Sequence, residues 1–494
     1  MSYNNLSEQQ YSALGVECDK ILLSYEDKDQ VVAIDSLHAT REGSLFFRDA
    51  PYLFFKNNFF YITNRRIKTI IKYILFFFYS LIRSFSYKNP CTENTGNNAD
   101  FLFISHYTGS HDDSEFYQDS YFGEVVNQLS KNSNKCVVAY INHTKDNSIV
   151  FQKDESVVKI LIDNFCSFSQ IFYIYKDIFL TFIPIAYRSN ALHARIVRQA
   201  RINIFSPGTI RNLIICNQVK SIINTFHPKT VVTTYEGYAW ERLVFSSSRD
   251  VDENIKCIAY QHAPLFKFQH SIRRSIGKKY NPDIILTSGL YSRDQLRLSK
   301  KISDTKIFAL GSGRNIIPEE KYQFGAGMSC LVIPEGSVKE CDILFDFSLK
   351  CAFKNPHITF VWRLPPMISL NLLIKYNNIF LNLPSNIVIS KISLLGDISR
   401  SKLALYRGSS AIIQSVVLGL KPIYLKIHNE LTIDVLYGAT GGREIVSSIE
   451  EFESTLLKNT NIDAQKELIE FCKNVYTNLD ITILEDILCA RGVK

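Results

Sequence analysis

Three observations predict an α/β protein built from two Rossmann-like, doubly wound domains facing a cleft. From Asp100 onward, short β-branched and aromatic runs alternate with longer amphipathic stretches. The alternation halts at a polar, glycine-containing segment, Arg314 to Met328, and then starts afresh. At 494 residues the chain is also too long for one ordinary core. The expected division is an N-terminal, partly helical extension over 1–98, a first domain over 99–325 and a second over 326–494.

In chain order, the first thirty residues are polar and acidic and lack the basic start and apolar centre of a secretory signal. A basic aromatic segment follows, Arg65 to Lys88. Its uncharged run extends only from Tyr73 to Ile82, short of the ~20 residues that cross a bilayer. Lys68, Lys72, Arg83 and Lys88 flank that apolar body, the composition of a helix lying in a membrane interface on anionic headgroups. A helix buried against a domain would read the same way. The segment Ile178 to Arg201 repeats the theme, interrupted by Pro184.

Buried strands are expected at "FLFISH" from Phe101, "CVVAYINH" from Cys136, "TVVTTY" from Thr230, "KCIAYQHA" from Lys256, "DIILTSG" from Asp283 and "KIFALGSG" from Lys306. Helical spans such as "SYFGEVVNQLSKN" and "NLIICNQVKSIINTF" separate several of them. After the linker, "CLVIPEG", "ITFVWRLPP", "NIVISK", "SSAIIQSVVLG" and "KPIYLK" make a second, shorter α/β unit. Ligands of such sheets bind outside the carboxyl ends of the strands, so facing ends make a two-substrate site.

Composition narrows the partners. An apolar share of 46% with 21% charged residues belongs to a globular protein, and a formal charge of +8 is modest for this length. It suits a phosphate-bearing small molecule or an anionic lipid surface, and no nucleic acid is expected. Eleven cysteines are scattered without CxxC or paired Cys/His spacing, so no metal site is expected, and a reducing, cytoplasmic setting fits them.

Four stretches place reactive residue types at strand ends. In "TTYEGYAWER", Glu236 follows a strand as a candidate general base, and Gly237 permits a tight turn and close approach of a ligand. The competing reading is a helix-start acid complementing the macrodipole. His262 in "YQHAPLFKFQH" ends another strand and is the second catalytic candidate. In "FVWRLPP", Arg363 offers paired donors to phosphate before Pro365 and Pro366, although arginines in such places commonly form surface ion pairs. In "YRGSSAIIQ", Gly408, Ser409 and Ser410 precede a helix beginning near Ala411, where exposed amides with hydroxyl caps suit an anion. "DVD" at Asp250 to Asp252 reads as loop, and "GSGR" at Gly311 to Arg314 lacks the third glycine of a dinucleotide fingerprint. Glu241 reads as a structural carboxylate.

Taken in order, "TTYEGYAWER", "YQHAPLFKFQHSIRR", "PDIILTSG", "VIPEGSVKEC", "FVWRLPP" and "YRGSSAIIQSVVLGLKPIYL" resemble bacterial surface-carbohydrate biosynthesis proteins of O-antigen and capsule clusters, glycosyltransferases of the two-Rossmann GT-B type. The resemblance spans roughly Asp100 to Leu425, and its C-terminal half is similar to transferases that use CMP-activated sialic acid or Kdo. It implies Glu236-Gly237 as the acidic-Gly motif and Ser409-Ser410 as the phosphate motif. Leu364 stands where the motif's histidine would precede Pro365. It further implies a nucleotide sugar, with a CMP-linked donor as substrate and no other cofactor, bound by Arg363, Pro365, Gly408, Ser409, Ser410 and the turn carrying Glu335 and Gly336. The first domain would then be the acceptor domain and the second the nucleotide-sugar domain. The implied acceptor is a polyprenyl- or lipid-linked glycan, which would place the enzyme at the inner face of the cell membrane.

Overall fold

A computed structural model of the protein describes residues 6–25, 28–38, 59–85, 87, 98–109, 117, 119–144, 151, 157–181, 191–314, 328–366, 368–458 and 461–489. The expected linker after Arg314 and the middle of the Ile178 to Arg201 segment, with Pro184, lie outside the described residues. Two parallel sheets carry the molecule, as expected. The first has seven strands, β1 (Phe101–Tyr107), β2 (Cys136–Asn142), β3 (Val157–Ile162), β4 (Thr230–Thr234), β5 (Lys256–Gln261), β6 (Ile284–Thr287) and β7 (Lys306–Ala309), in the order β3-β2-β1-β4-β5-β6-β7. The second has six, β8 (Ser329–Ile333), β9 (Thr359–Trp362), β10 (Ile387–Ile389), β11 (Leu403–Tyr406), β12 (Lys421–Leu425) and β13 (Glu444–Val446), in the order β10-β9-β8-β11-β12-β13.

The central strands are buried on both faces, which is why they read as unbroken apolar runs. In each sheet the chain leaves the first strand toward one edge and returns to its other side. The crevices at the reversal open between β1 and β4 and between β8 and β11. β3, "VVKILI", and β11, "LALY", escape the sequence reading because they are short and lack turn signals. "SSAIIQSVVLG" folds as the helix Ala411–Val417, at the expected start near Ala411.

Two expected boundaries and one loop differ in the structure. Residues 6–25 and 28–38 are not an appended extension: Leu14, Cys18, Ile21 and Val31 join one core with Ile210, Leu213, Leu243 and Tyr280. A buried ionic knot reinforces this packing. Asp19 is held by Arg274 Nη1 at 2.5 Å, His270 Nε2 at 2.9 Å and Lys301 Nζ at 2.9 Å, residues over 250 positions away in sequence. The second domain does not keep the C-terminus. After the helix Ile462–Val475 the chain crosses back, Asp480 N–H donating to Leu310 O at 2.8 Å and Leu484 packing with Phe101 and Phe103. Gly311, at φ +86°, is required there, since a β-carbon would lie 2.0 Å from Asn478 O. Within "DVD", read as loop, Asp250 and Val251 instead end the helix Ala239–Val251, with Asp250 paired to Lys220 and Lys279.

Candidate functional site

The crevice of the first sheet collects polar side chains from four strand ends. β4 delivers Thr234 and, two residues on, Glu236; β5 delivers Gln261 and His262; β1 delivers His106; β2 is followed by His143. His106 bridges the group, its Nδ1 lying 2.8 Å from His143 Nε2 and its Nε2 2.9 Å from Thr234 Oγ1. Tyr121, just before the helix Gly123–Lys131, is the hub. Its ring stands against His106 at 5.1 Å and against His262 at 4.9 Å, and the guanidinium of Arg314 lies 5.6 Å from its centroid. The Glu236 charge acts on Tyr121 as well, so the acid and the ring share one neighbourhood. The structure thus brings both sequence-derived catalytic candidates, Glu236 and His262, to one crevice.

The loop carrying Glu236 is built from below. Glu241, buried in the first turn of its helix, accepts the main-chain N–H groups of Glu236, Gly237 and Tyr238. Its structural reading holds, with the added detail that it shapes the turn that presents Glu236. Gly237 has φ +87°, but the expectation that it opens space for a ligand is corrected. A β-carbon there would lie 2.5 Å from Ser271 C and 2.7 Å from Ile272 N, so the glycine admits the protein's own backbone. Ser271 Oγ donates to Glu236 O at 2.9 Å, closing the same contact.

The imidazoles in this crevice are neutral. Burial drives His262 down to about 3, helped by the Arg314 charge, and drives His143 to about 4, helped by Arg211. Burial holds His106 well below the usual histidine value too, and the Arg211 charge adds to it. Two further groups await a partner. His262 Nδ1 and both amide atoms of Gln261 are buried without a hydrogen bond among the described residues. Arg314 makes no ion pair among the described residues, and its carbonyl accepts from Gln414 Nε2 of the second domain at 3.1 Å.

In the second sheet, Glu335 and Gly336 follow β8, Arg363 and Pro365 follow β9, and Gly408, Ser409 and Ser410 follow β11. Most of the expected donor residues therefore flank the second crevice. Their chemistry differs from expectation at two points. Arg363 Nη1 donates to Asp397 Oδ2 at 2.8 Å and to Ile392 O at 2.8 Å, so it serves the ion pair that was the competing reading. The serine hydroxyls do not cap the helix Ala411–Val417, because Ser410 already has helical backbone angles and the turn is made by Gly408 at φ +64°. Leu364 packs against the second core, filling with apolar contact the place of the motif's histidine.

Arg407 was not singled out from sequence, yet it anchors this crevice. Fully buried, it donates to Glu340 Oε2 at 2.7 Å, Glu430 Oε2 at 2.9 Å and Leu425 O at 3.0 Å. Beside it lies a cavity of about 300 Å³ whose wall includes Lys426, Arg443 and Tyr437 from the second domain and Lys267 from the first. His106, His143, Tyr121 and Arg314 also went unnoticed. The signal for the two histidines was present, since "FLFISH" and "YINH" both end strands on histidine. Among the described residues no cluster of His, Cys, Asp or Glu could hold a metal ion.

No protein-family model matches the chain, and no curated protein matches it in sequence. Solved structures similar to it include an α,α-trehalose-phosphate synthase (UDP-forming) from Burkholderia vietnamiensis, with 10% identity and a TM-score of 0.48 over 81% of this chain and 99% of that one. A UDP-GlcNAc 2-epimerase from Methanocaldococcus jannaschii, solved with UDP-GlcNAc and UDP, has 10% identity and a TM-score of 0.47 over 79% and 99%. MurG from Acinetobacter baumannii has 9% identity and a TM-score of 0.44 over 79% and 99%.

Proposed function

We propose that the protein is a nucleotide-sugar-dependent glycosyltransferase of bacterial surface-polysaccharide assembly, moving a CMP-activated nonulosonic acid or Kdo onto a lipid-linked glycan at the inner face of the cell membrane. The observation that carries this reading is the placement of Glu236 at the β1/β4 crevice. There its charge reaches Tyr121, whose ring lies against His106 and His262 and under the Arg314 guanidinium, and the Arg314 carbonyl accepts from Gln414 of the second domain.

Glu236 takes the proton of the acceptor hydroxyl as the anomeric bond to phosphate breaks through an oxocarbenium-like state. Arg314 and the amides of the Gly408–Ser410 turn neutralise the departing phosphate, which makes a metal unnecessary. Neutral His262 offers a hydrogen bond through Nδ1 rather than a charge, and Gln261 supplies a donor and an acceptor beside it.

A second reading, phosphoalditol transfer from a CDP-alditol, is favoured by Lys267, Lys426 and Arg443 on the wall of one cavity, which Glu430 and Asp434 also line. A third, a non-catalytic assembly protein, keeps the fold without turnover. Thermal stabilisation by CMP-, CDP- and UDP-linked donors separates them. A CMP-sugar response supports transfer of its sugar, a CDP-glycerol response supports the second reading, and no response supports the third. For the enzyme, Glu236→Gln is expected to cut turnover by roughly 10²–10⁴ while leaving donor binding in place. Unchanged turnover would remove Glu236 from the mechanism.

A further inference from the structure

The helix Phe59–Ser84 is apolar on two sides: Phe76, Phe77 and Leu81 pack inward against the core that includes Leu14 and Tyr175, and a second apolar stripe faces out. Its domain-facing side carries Tyr73, Ser80 and Ser84, at 9%, 1% and 5% exposure, the two serine hydroxyls donating to Phe76 O and Leu81 O. Its solvent side carries Ile67, Ile71, Ile74, Phe78 and Ile82 at spacings of three and four, and Phe85 continues the line just past the helix end. Exposures along it run from 51% at Ile74 to 77% at Phe85. An apolar stripe of this length pointing at water is not what a surface helix keeps without a partner.

The stripe continues onto a second helix. Phe85 stacks on Phe168 with ring centroids 5.4 Å apart, and Phe168 opens the helix Phe168–Leu180. That helix buries Ile171, Ile174 and Ile178 and locks onto the first through Tyr175 against Phe77 at 4.6 Å. Outward it presents Phe172, Phe179 and Leu180, at 58%, 73% and 70% exposure. The expected second segment, Ile178 to Arg201, overlaps this helix only at its last turn.

Charge identifies the occupant. Among its described side chains the first helix holds Lys68, Lys72 and Arg83 and no acid. Lys68, Lys72 and Arg83 are exposed, as is Lys176 beside Tyr173 on the second helix. A second copy of the chain seated on this face would set these cations against one another. Phosphate headgroups above an acyl layer complement both properties at once. No described helix is long and apolar enough to cross a membrane, so the geometry is in-plane.

We propose that these two helices form a shelf that docks the protein in the interface of an anionic lipid bilayer, with Phe78, Ile82, Phe85 and Phe179 among the acyl chains and the lysines at the headgroups. The inference rests on the proposed function only in giving the lipid-linked acceptor a place to be met; its evidence is separate. The test is flotation of the intact protein with vesicles of phosphatidylglycerol and phosphatidylcholine, or of phosphatidylcholine alone. Binding to the anionic vesicles should exceed binding to the neutral ones by at least about tenfold and fall with added salt. Phe78→Glu with Phe179→Glu should abolish it, and Lys68→Glu with Lys72→Glu should weaken it, without moving the melting temperature. Absence of anionic-vesicle binding, or binding indifferent to both pairs of substitutions, overturns the proposal. So does a Phe78→Glu-sensitive dimer in light scattering without vesicle binding. Loss of donor-induced stabilisation alongside intact flotation would count against the transferase reading and leave the shelf standing.

Discussion

Glu241 Oε2 lies 2.7 Å from the amide nitrogen of Gly237, and the same carboxylate takes the amides of Glu236 and Tyr238. One buried acid thus sets the direction in which the next acid, Glu236, leaves the backbone. Burial raises the Glu241 pKa well above the usual carboxylate value, and the Glu236 charge raises it further while the three amides oppose them. A raised folded pKa means that the contribution of Glu241 to stability is complete below the unfolded value of about 4.3 and is lost as pH climbs through the folded one. Urea unfolding should therefore show wild type losing ground to Glu241→Gln as pH rises from 4 to 8. Glu241→Ala, which strands the amides, should cost about 2–3 kcal/mol.

Gly237→Ala tests whether the turn answers to the protein or to a ligand. The added carbon meets the Ser271–Ile272 backbone and must adopt a left-handed φ. A loss of about 2 kcal/mol or more in unfolding free energy is expected, even without any substrate present. A variant as stable as wild type but inactive would return the glycine to a ligand-contact role.

Asp19→Asn should strip the N-terminal segment from the first domain. Arg274 is wholly buried, and removing its counter-charge leaves it uncompensated at a cost of about 3–5 kcal/mol. Burial raises the Asp19 pKa, but hydrogen bonds and charges from His270 and Arg274 outweigh it and hold the group well below the ordinary range. The stability this supplies is present above the unfolded value of about 3.9 and is lost as pH falls through the lower folded value. Acid titration of wild type should show that loss, and Asp19→Asn should not.

His262, at about 3, and His143, at about 4, carry no proton charge from pH 5 to 8. The pH profile of kcat/KM for sugar transfer should therefore lack a histidine step near 6.5. A step at that pH that vanishes in His262→Gln would show a charged imidazole in the mechanism and contradict the buried, arginine-flanked setting described above.

Much of the fold was legible because its signals are local. Apolar runs of strand length, amphipathic spans of helical period and the restart after Met328 depend on neighbouring residues, and from them followed two doubly wound units with Glu236 and His262 at strand ends. The apolar run from Tyr73 to Ile82 announced a helix for the same reason. The tertiary structure alone decided which ends meet. β1 lies beside β4 across more than a hundred residues, which puts His106 against Thr234; Asp19 finds Arg274; and the C-terminal helix Thr482–Cys489 returns to the first sheet. It also decided that Arg363 is spent on Asp397, that Gly237 admits backbone, and that the described isoleucines of the Phe59–Ser84 helix look outward while Phe76, Phe77 and Leu81 pack inward. Periodicity reports the kind of element a stretch forms. Partners, and the face that is buried, are chosen by packing between segments distant in the chain.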